Sequence, residues 1–327
     1  MFFEASLKKA RFFLQEIMTI QEFKNFAIKE ILNSPSPQLD VQVLIEHITG
    51  YSKTEILLNR DKNLSEKQLD WLKNAVDLRK TGLPVAYITG KKEFFGYEFN
   101  VSPAVLIPKP DTEILVEKAI DLAIEKIEAH PEKILTICDM CTGSGCIGIS
   151  VLKSLSEQYN IPSERLPKIT LVDISLTALE VAESNARKLL SANEKSHVRF
   201  VRSNLFEQIP YTFDLILTNP PYIPHSMVDE LLKDGRSEPR LALDGDITLT
   251  GDRAIDKFGD LADDGLEIIR NLFMEATERL SPGGEILMET GEYNMPGAEK
   301  IARLNGFSKT EIYNDFSDQM RVLRARF

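Results

Sequence analysis

The sequence has few cysteines and no long apolar run. Its 327 residues include 3 cysteines, and all of them lie in the short stretch from Cys138 through Cys141 to Cys146. An odd number of closely spaced cysteines is a poor disulfide framework and indicates a reducing compartment. No apolar run approaches the roughly 18 residues that a membrane-spanning helix needs. We therefore expect a cytoplasmic protein that does not act at a membrane.

Positive charge is also scarce. Thirty-nine Lys and Arg residues oppose 50 Asp and Glu residues, which gives a formal net charge of -11. This balance argues against a general polyanion binder, so we expect no stable nucleic-acid partner. Hydrophobic residues make up 43% of the chain and charged residues 27%, which is typical of a folded globular protein. At roughly 150 residues per domain, the length allows about two domains.

The hydrophobic pattern changes twice along the chain. Residues 1–82 have helical periodicity and predict a small helical domain, with helices over 39–48 and 64–78. Aromatic and β-branched residues interrupted by Gly90 and Gly96 then predict a β-hairpin, which we place in a linker over 83–107.

From residue 108 to residue 327, candidate strands alternate with helical stretches such as 175–190 and 264–280. This alternation predicts an α/β domain built on a doubly wound, mostly parallel sheet of the Rossmann-like kind. Ligands bind such sheets outside the carboxyl ends of the strands. The candidate strands cover 134–138, 168–172, 198–202, 213–218, 284–290, 309–313 and 320–325.

A glycine-rich turn follows the first of these strands. The string from Asp139 to Gly145 has the form D-x-x-x-G-x-G, and its glycines Gly143 and Gly145 let a ligand approach the backbone. Asp173 follows the next strand, where a carboxylate can accept both hydroxyls of a ribose. The lysine of a triphosphate-binding loop is lacking. We interpret the pattern as a site for S-adenosylmethionine, which carries an amino acid group instead of phosphates; a purely structural turn is the alternative for the glycines alone.

The tetrapeptide Asn219-Pro220-Pro221-Tyr222 follows the strand over 213–218. Its two prolines fix the backbone, and the Asn219 side-chain oxygen and the Pro220 carbonyl could accept the two hydrogens of a planar NH2 group. Tyr222 could stack on that group. With its two hydrogens held in this way, the nitrogen would turn its lone pair toward a methyl donor. The pattern therefore predicts methylation of an amide or an exocyclic amine, and a proline-rich structural turn is the alternative.

Together these segments are similar to the successive motifs of the HemK/PrmC family. That family comprises glutamine methyltransferases that modify the Gly-Gly-Gln loop of peptide chain release factors. The resemblance implies S-adenosylmethionine as the cofactor, release factors as the protein substrate, and an amino-terminal helical domain that docks them. It extends over LIPKPDTEILVE (106–117), DMCTGSGCIGI (139–149), VDISLTALEVAESNA (172–186), NLF (204–206), FDLILTNPPYI (213–223), SEPRLAL (237–243), DGLEIIR (264–270) and LSPGGEILMETG (280–291).

The resemblance also assigns roles by position. It implies that the substrate glutamine binds the segment from Asn219 to Tyr222, with Asn219, Pro220 and Tyr222 acting in catalysis. The cofactor-binding residues that it implies are Asp139, Cys141, Thr142, Gly143, Ser144, Gly145, Asp173, Asn204, Leu205 and Asn219.

The chain departs from the family pattern in three places. Cys141 stands where a glycine is usual, so this residue must avoid a positive φ angle or tolerate its cost. Asn204 stands where an aspartate is usual, and residues 245–263 are expected to be an inserted surface loop.

Other functions stay open at this level. The chain could act on a ribosomal-protein glutamine, on an adenine amine in nucleic acid, or as a catalytically silent cofactor-binding adaptor. We expect no metal, because the three cysteines lack a fourth ligand nearby.

Overall fold

The computed structural model describes residues 17–32, 34–233, 237–248, 252–255 and 261–327. The described residues up to Thr89, together with Ser237, form one compact unit, and the other described residues from Gly90 onward form a second. The amphipathic pattern that the sequence shows before residue 17 lies outside the described residues.

The first unit is helical, as its periodicity predicts. Three of its helices begin with capping boxes, in which the hydroxyl groups of Thr19, Ser52 and Ser65 accept a hydrogen bond from the third helical residue. Phe23, Leu44 and Leu72 are fully buried between the helices. The helices are α1 (Ile20–Glu30), α2 (Pro37–Thr49), α3 (Lys53–Leu58), α4 (Glu66–Lys80) and α5 (Val85–Thr89).

Helix α5 occupies a stretch where the sequence analysis expected the first part of a hairpin. The backbone N–H groups of Tyr87 and Ile88 donate to the Pro84 carbonyl at 3.0 and 3.2 Å. Val85 and Ile88 pack against the helical core, so tertiary packing overrides the β propensity of this stretch. The hairpin itself is shorter than expected: it joins β1 (Lys91–Phe94) to β2 (Tyr97–Asn100) and lies within the second unit.

The second unit contains helices and strands in alternation. Its sheet strands are β3 (Thr136–Met140), β4 (Lys168–Asp173), β5 (Val198–Arg202), β6 (Phe213–Thr218), β7 (Leu280–Glu289), β8 (Lys309–Asn314) and β9 (Met320–Arg326). Its helices are α6 (Glu113–Ala129), α7 (Cys146–Glu157), α8 (Leu176–Leu189), α9 (Ala192–Lys195), α10 (His225–Leu232), α11 (Glu267–Ala276) and α12 (Met295–Leu304).

The seven strands form one sheet in the order β5-β4-β3-β6-β7-β9-β8. The first five are parallel, and β9 and β8 add an antiparallel edge. Alternate residues of the central strands enter two separate cores: Leu215 and Leu217 contact one, and Ile216 contacts the other. Helices cover both faces, and the predicted doubly wound α/β fold is confirmed.

Strand β3 lies two residues further along the chain than expected. It ends at Met140, so Asp139 lies inside the strand rather than after it. Strands β5 and β6 match the predicted bounds, and every residue of β6 is buried at the centre of the sheet. The segment that follows β6, beginning with Asn219, therefore leaves the sheet between the ends of β3 and β7.

Candidate functional site

A pocket of about 520 Å³ opens at the carboxyl ends of the parallel strands. Such a volume suits a cofactor-sized molecule. Of the residues expected at the site, those that line it are Cys141, Thr142, Gly143, Ser144, Asp173, Asn204, Leu205, Asn219 and Pro221. The expected residues outside this lining are Asp139, Gly145, Pro220 and Tyr222.

The two glycines of the loop have different surroundings. Gly143 has a φ of +54°, and a Cβ placed on it would meet no atom within 4 Å. Gly145 has a φ of +79°, but a Cβ there would lie 2.8 Å from Ile149 Cδ1 and 3.1 Å from Leu171 Cδ2. Gly143 lines the pocket and has open space beside its Cα. Gly145 instead allows helix α7 to pack closely on the sheet.

A third glycine, Gly148, completes the spacing G-x-G-x-x-G with Gly143 and Gly145. This spacing is also that of dinucleotide-binding loops, so the loop sequence alone does not separate the two classes of cofactor. A Cβ on Gly148 would lie 3.0 Å from Asp139 Oδ2, which shows that this glycine serves packing inside the protein.

Asp139 lies behind the loop and not on the pocket wall. Its Oδ2 accepts hydrogen bonds from the Thr142 hydroxyl at 2.6 Å and from the Gly148 N–H at 2.9 Å. Complete burial raises the pKa of this carboxyl to about 7. Its Oδ1 is buried without a hydrogen-bond partner. In this geometry Asp139 supports the loop through the bonds that its Oδ2 accepts.

Asp173 joins the loop to the end of β4. Its Oδ2 accepts the Gly143 N–H at 2.9 Å, and its Oδ1 accepts the Ser175 N–H at 2.9 Å. Burial raises the pKa of the Asp173 carboxyl, and these backbone bonds act against that rise. Each carboxylate oxygen keeps a lone pair beyond these bonds, so Asp173 can still accept two hydroxyl groups from a ligand.

Two residues that line the pocket have a backbone conformation that favours glycine. Cys141 has a φ of +58° and Leu205 a φ of +41°. Strain of this kind persists where the surrounding structure holds it, and it concentrates at functional sites. Cys141 thus tolerates the positive φ that the sequence analysis raised as a cost of replacing the usual glycine.

The turn after β6 brings Asn219 to the same pocket as Gly143 and Asp173. The Asn219 Nδ2 donates to the Thr112 hydroxyl oxygen at 3.3 Å. With the amide nitrogen used in this way, the side-chain oxygen is available as an acceptor. The Tyr222 hydroxyl donates to Glu289 Oε1 at 3.4 Å, and burial raises the pKa of Tyr222 well above its ordinary value.

Sequence reasoning missed the residues that hold this turn from behind. A Cβ on Gly245 would lie 2.9 Å from Tyr222 Cα, and a Cβ on Gly265 would clash with the Tyr222 carbonyl oxygen. Asp246 accepts the N–H groups of His225 and Gly265 at 3.3 and 2.8 Å. The two Asp-Gly pairs at 244–245 and 264–265 were the available sequence signal.

The expected surface loop over 245–263 is therefore wrong for its first part. Asp246 and Ile247 are buried, and Ile247, Thr248 and Ala254 line the pocket. Apolar Ile247 and Ala254 gain from leaving water, which explains why this acidic segment folds inward here.

The cysteines form no disulfide. Across the described part of the chain, no three His, Cys, Asp or Glu side chains come together as a metal site would require. Nor does any helix among those described residues have the length and apolar character needed to cross a membrane.

Comparison with known proteins gives two family matches. Residues 25–90 match the PrmC N-terminal domain, and residues 114–256 match the methyltransferase small domain. The release factor glutamine methyltransferase of Haemophilus influenzae is 36% identical over 87% of this chain and 90% of that protein. The protein of the same name from Rhodopirellula baltica is 34% identical over 89% of each chain. Among solved structures, a methyltransferase from Pyrococcus furiosus matches 80% of this chain and 98% of its own with a TM-score of 0.44 and 14% identity.

Proposed function

Because the chain belongs to the release factor glutamine methyltransferase family, we propose that it methylates the side-chain amide nitrogen, N5, of the glutamine in the Gly-Gly-Gln motif of peptide chain release factors. The methyl donor is S-adenosylmethionine, and S-adenosylhomocysteine is the second product. The observation that carries the proposal is that Asn219, Gly143 and Asp173 line one pocket.

The residues of this pocket fit the cofactor. Asp173 has lone pairs left for the two ribose hydroxyls, and Gly143 leaves open space in which a ligand can approach the backbone. The match of residues 114–256 to the methyltransferase small domain supports S-adenosylmethionine over a dinucleotide at this loop. We assign the adenine to the wall formed by Asn204 and Leu205.

The turn after β6 would activate the glutamine by orientation. When bound, S-adenosylmethionine supplies an electrophilic methyl group. Asn219 Oδ1 and the Pro220 carbonyl accept the two amide hydrogens, and the Tyr222 ring packs on the planar carboxamide. The nitrogen lone pair would then point at that methyl group, and after transfer the nitrogen would release one of its two hydrogens to water as a proton. Fixed acceptors stabilise the positive charge that develops on nitrogen, and alignment supplies several kcal/mol.

We assign docking of the release factor to the helical region over 1–82. The match of residues 25–90 to the PrmC N-terminal domain supports this assignment. A protein that modifies translation factors would act in the cytoplasm, where translation takes place.

A labelled transfer assay tests the proposed function. The protein is incubated with radiolabelled S-adenosylmethionine and purified release factor, and in parallel with a release factor whose motif is Gly-Gly-Ala. We expect label on the first and none on the second. Equal label on the Ala variant would refute the assigned acceptor.

The same assay separates the alternatives. Label on a ribosomal protein or on DNA, with none on the release factor, would favour those substrates. Cofactor binding without any transfer would favour a silent adaptor.

A further inference from the structure

Helix α11 presents a row of polar side chains to the pocket that the function as proposed does not use. Glu267, Asn271 and Glu275 lie four positions apart on this helix, and all three line the pocket. Residues at that spacing share one face of an α-helix. Leu272 and Phe273 are fully buried and pack in the core beside the sheet. The face of α11 that lines the pocket therefore carries hydrogen-bonding groups that a ligand could meet.

The two carboxylates of this row have different partners. Glu267 Oε2 lies 3.1 Å from Arg270 Nη1 on the same helix, so a cation already pairs with it. Glu275 Oε2 accepts the backbone N–H of Phe206 at 3.1 Å. Within the part of the chain that the structure describes, no other group donates a hydrogen bond to Glu275. Its second carboxylate oxygen is therefore available to a ligand in the pocket.

The bond from Phe206 places Glu275 beside the wall to which we assign the adenine. Phe206 directly follows Asn204 and Leu205, and these two residues line the same pocket as Glu275. The edge of an adenine carries an exocyclic NH2 group, which donates hydrogen bonds. An ionised carboxylate can only accept them. The free oxygen of Glu275 thus has the chemistry that this end of the cofactor requires.

We propose that Glu275 is a specificity-determining residue of the cofactor site, whose free carboxylate oxygen accepts a hydrogen bond from the exocyclic amine of the adenine. This inference rests on the placement of the adenine given under the proposed function. Hypoxanthine has a carbonyl oxygen in place of that amine and would bring one acceptor against another. The site should therefore reject S-inosylhomocysteine, which differs from S-adenosylhomocysteine in this group.

The surroundings of Glu275 decide the pH at which binding is measured. Burial raises the pKa of the Glu275 carboxyl, and the charge of Glu207 adds to that rise. The Phe206 N–H and the Arg279 guanidinium act against it. Measurements at pH 8 favour the ionised carboxylate, which is the form that the proposal requires.

The substitution Glu275→Gln should invert the preference between the two ligands. The Phe206 N–H keeps the single amide oxygen of the glutamine, so the amide NH2 group faces the pocket. That NH2 group opposes the amine of adenine but can donate to the carbonyl of hypoxanthine. By calorimetry at pH 8, affinity for S-adenosylhomocysteine should fall at least about tenfold and affinity for S-inosylhomocysteine should rise at least about tenfold.

Glu207→Gln is the matched control. It removes the same charge from an exposed side chain that acts on Glu275 but does not line the pocket. Because a charge at the surface is screened, the ratio of the two affinities should stay within about threefold of the wild-type ratio. A general loss of structure would weaken both ligands together and would not raise the affinity for S-inosylhomocysteine.

An unchanged ratio of the two affinities in Glu275→Gln overturns the proposal. If that variant fails to fold, as a melting curve would reveal, Glu275→Ala decides. It should bind S-adenosylhomocysteine at least about tenfold more weakly without losing affinity for S-inosylhomocysteine, and an equal loss for both ligands overturns the proposal.

Two further results separate this inference from the function on which it rests. A normal affinity of Asn204→Ala for S-adenosylhomocysteine would refute the placement of the adenine, and the role of Glu275 with it. A wild-type protein that prefers S-adenosylhomocysteine but transfers no label to release factor would refute the proposed substrate and leave the role of Glu275 supported.

Discussion

At the scale of single residues, the site depends on which atoms each side chain leaves free. Asp173 holds the Gly143 N–H and still has lone pairs for a ligand, and Asn219 uses its nitrogen on Thr112 and keeps its oxygen available. Asp139 has the same kind of side chain as Asp173, but its accepting oxygen is occupied by the loop and by helix α7. Of these two aspartates, Asp173 lines the pocket, whereas Asp139 lies behind the loop.

The first prediction compares two glycine substitutions in the loop. In Gly145→Ala the new Cβ would clash with Ile149 and Leu171, and we expect a loss of about 2–3 kcal/mol in the free energy of unfolding. Gly143→Ala adds a methyl group in open space at positive φ, so its loss should be about 1 kcal/mol, with weaker binding of S-adenosylhomocysteine. Urea unfolding and calorimetry measure the two effects. Equal stability of the two variants would contradict the different packing described for these glycines.

A second prediction concerns Asn219 and its matched control Asn204. Asn219→Ala removes an acceptor that acts on the reacting nitrogen, so kcat should fall by a factor of about 100–1,000 while affinity for S-adenosylhomocysteine changes little. Asn204→Ala should do the reverse, with weaker cofactor binding and a nearly normal rate at saturation. Steady-state kinetics and calorimetry on both variants give the comparison; a normal kcat for Asn219→Ala would count against the proposed mechanism.

At the scale of elements, strand β7 joins the parallel part of the sheet to its antiparallel edge. Glu285 on β7 is buried and pairs with Lys126 of α6 at 3.1 Å and with Arg324 of β9 at 2.7 Å. Burial acts to raise the pKa of Glu285, but the bond from Arg324 and the charge of Lys126 hold it below its usual value. The Glu285 carboxylate therefore forms ion pairs that hold both α6 and β9 against β7, the strand that ends in Glu289.

The third prediction tests the ion pairs of Glu285 with two substitutions that each remove a negative charge. Glu285→Gln leaves Lys126 and Arg324 without their buried partner and should lower the free energy of unfolding at pH 7 by about 2 kcal/mol. Glu311, which pairs with the same Arg324 at 3.4 Å, has a side chain that is 55% exposed, so Glu311→Gln should cost under about 0.5 kcal/mol. The contribution of Glu285 is present above the unfolded pKa of about 4.5 and is lost as the pH falls below it. Urea titrations at pH 7 and pH 3.5 measure the free energy of unfolding of the wild type and of both variants. If the difference between wild type and Glu285→Gln were the same at the two pH values, the stabilising role of the Glu285 carboxylate would be refuted.

At the scale of the whole molecule, burial of several carboxyl groups at the site disfavours their ionised form and so lowers the stability of the folded protein at neutral pH. Asp139 and Glu289 both have a pKa raised to about 7, and burial also raises the pKa of Asp173, Asp246 and Glu275. The folded protein therefore binds more protons than the unfolded chain between about pH 4.5 and pH 7. A net charge of -11 adds self-repulsion in the same direction as pH rises.

The fourth prediction follows from this balance. The free energy of unfolding should fall as the pH rises from 5 to 8, by up to about 1.4 kcal/mol per pH unit for each such group while it titrates. The double variant Asp139→Asn, Glu289→Gln should have a shallower dependence. Urea unfolding across this range measures both slopes, and a wild-type protein that became more stable toward pH 8 would contradict the prediction.

Sequence reasoning worked best where local patterns and burial agree. Strands β5 and β6 have the predicted bounds, because their hydrophobic runs end at strong turn residues. It was wrong over 85–89, where β-branched and aromatic residues form helix α5 because Val85 and Ile88 pack in the helical core. It was also wrong about the first part of the segment 245–263, since composition does not reveal which of its residues face the pocket.

The sequence by itself determined the doubly wound fold and the candidate site loops, because residue periodicity and turn chemistry are local properties of the chain. Only the tertiary structure decided that Asp139 supports the loop from behind, that Gly245 and Gly265 pack on Tyr222, and that Thr112 and Glu289 stand behind the Asn219 turn. These contacts join residues up to 107 positions apart in the chain. Their partners and their burial exist only once the sheet has formed, so no local pattern could encode them.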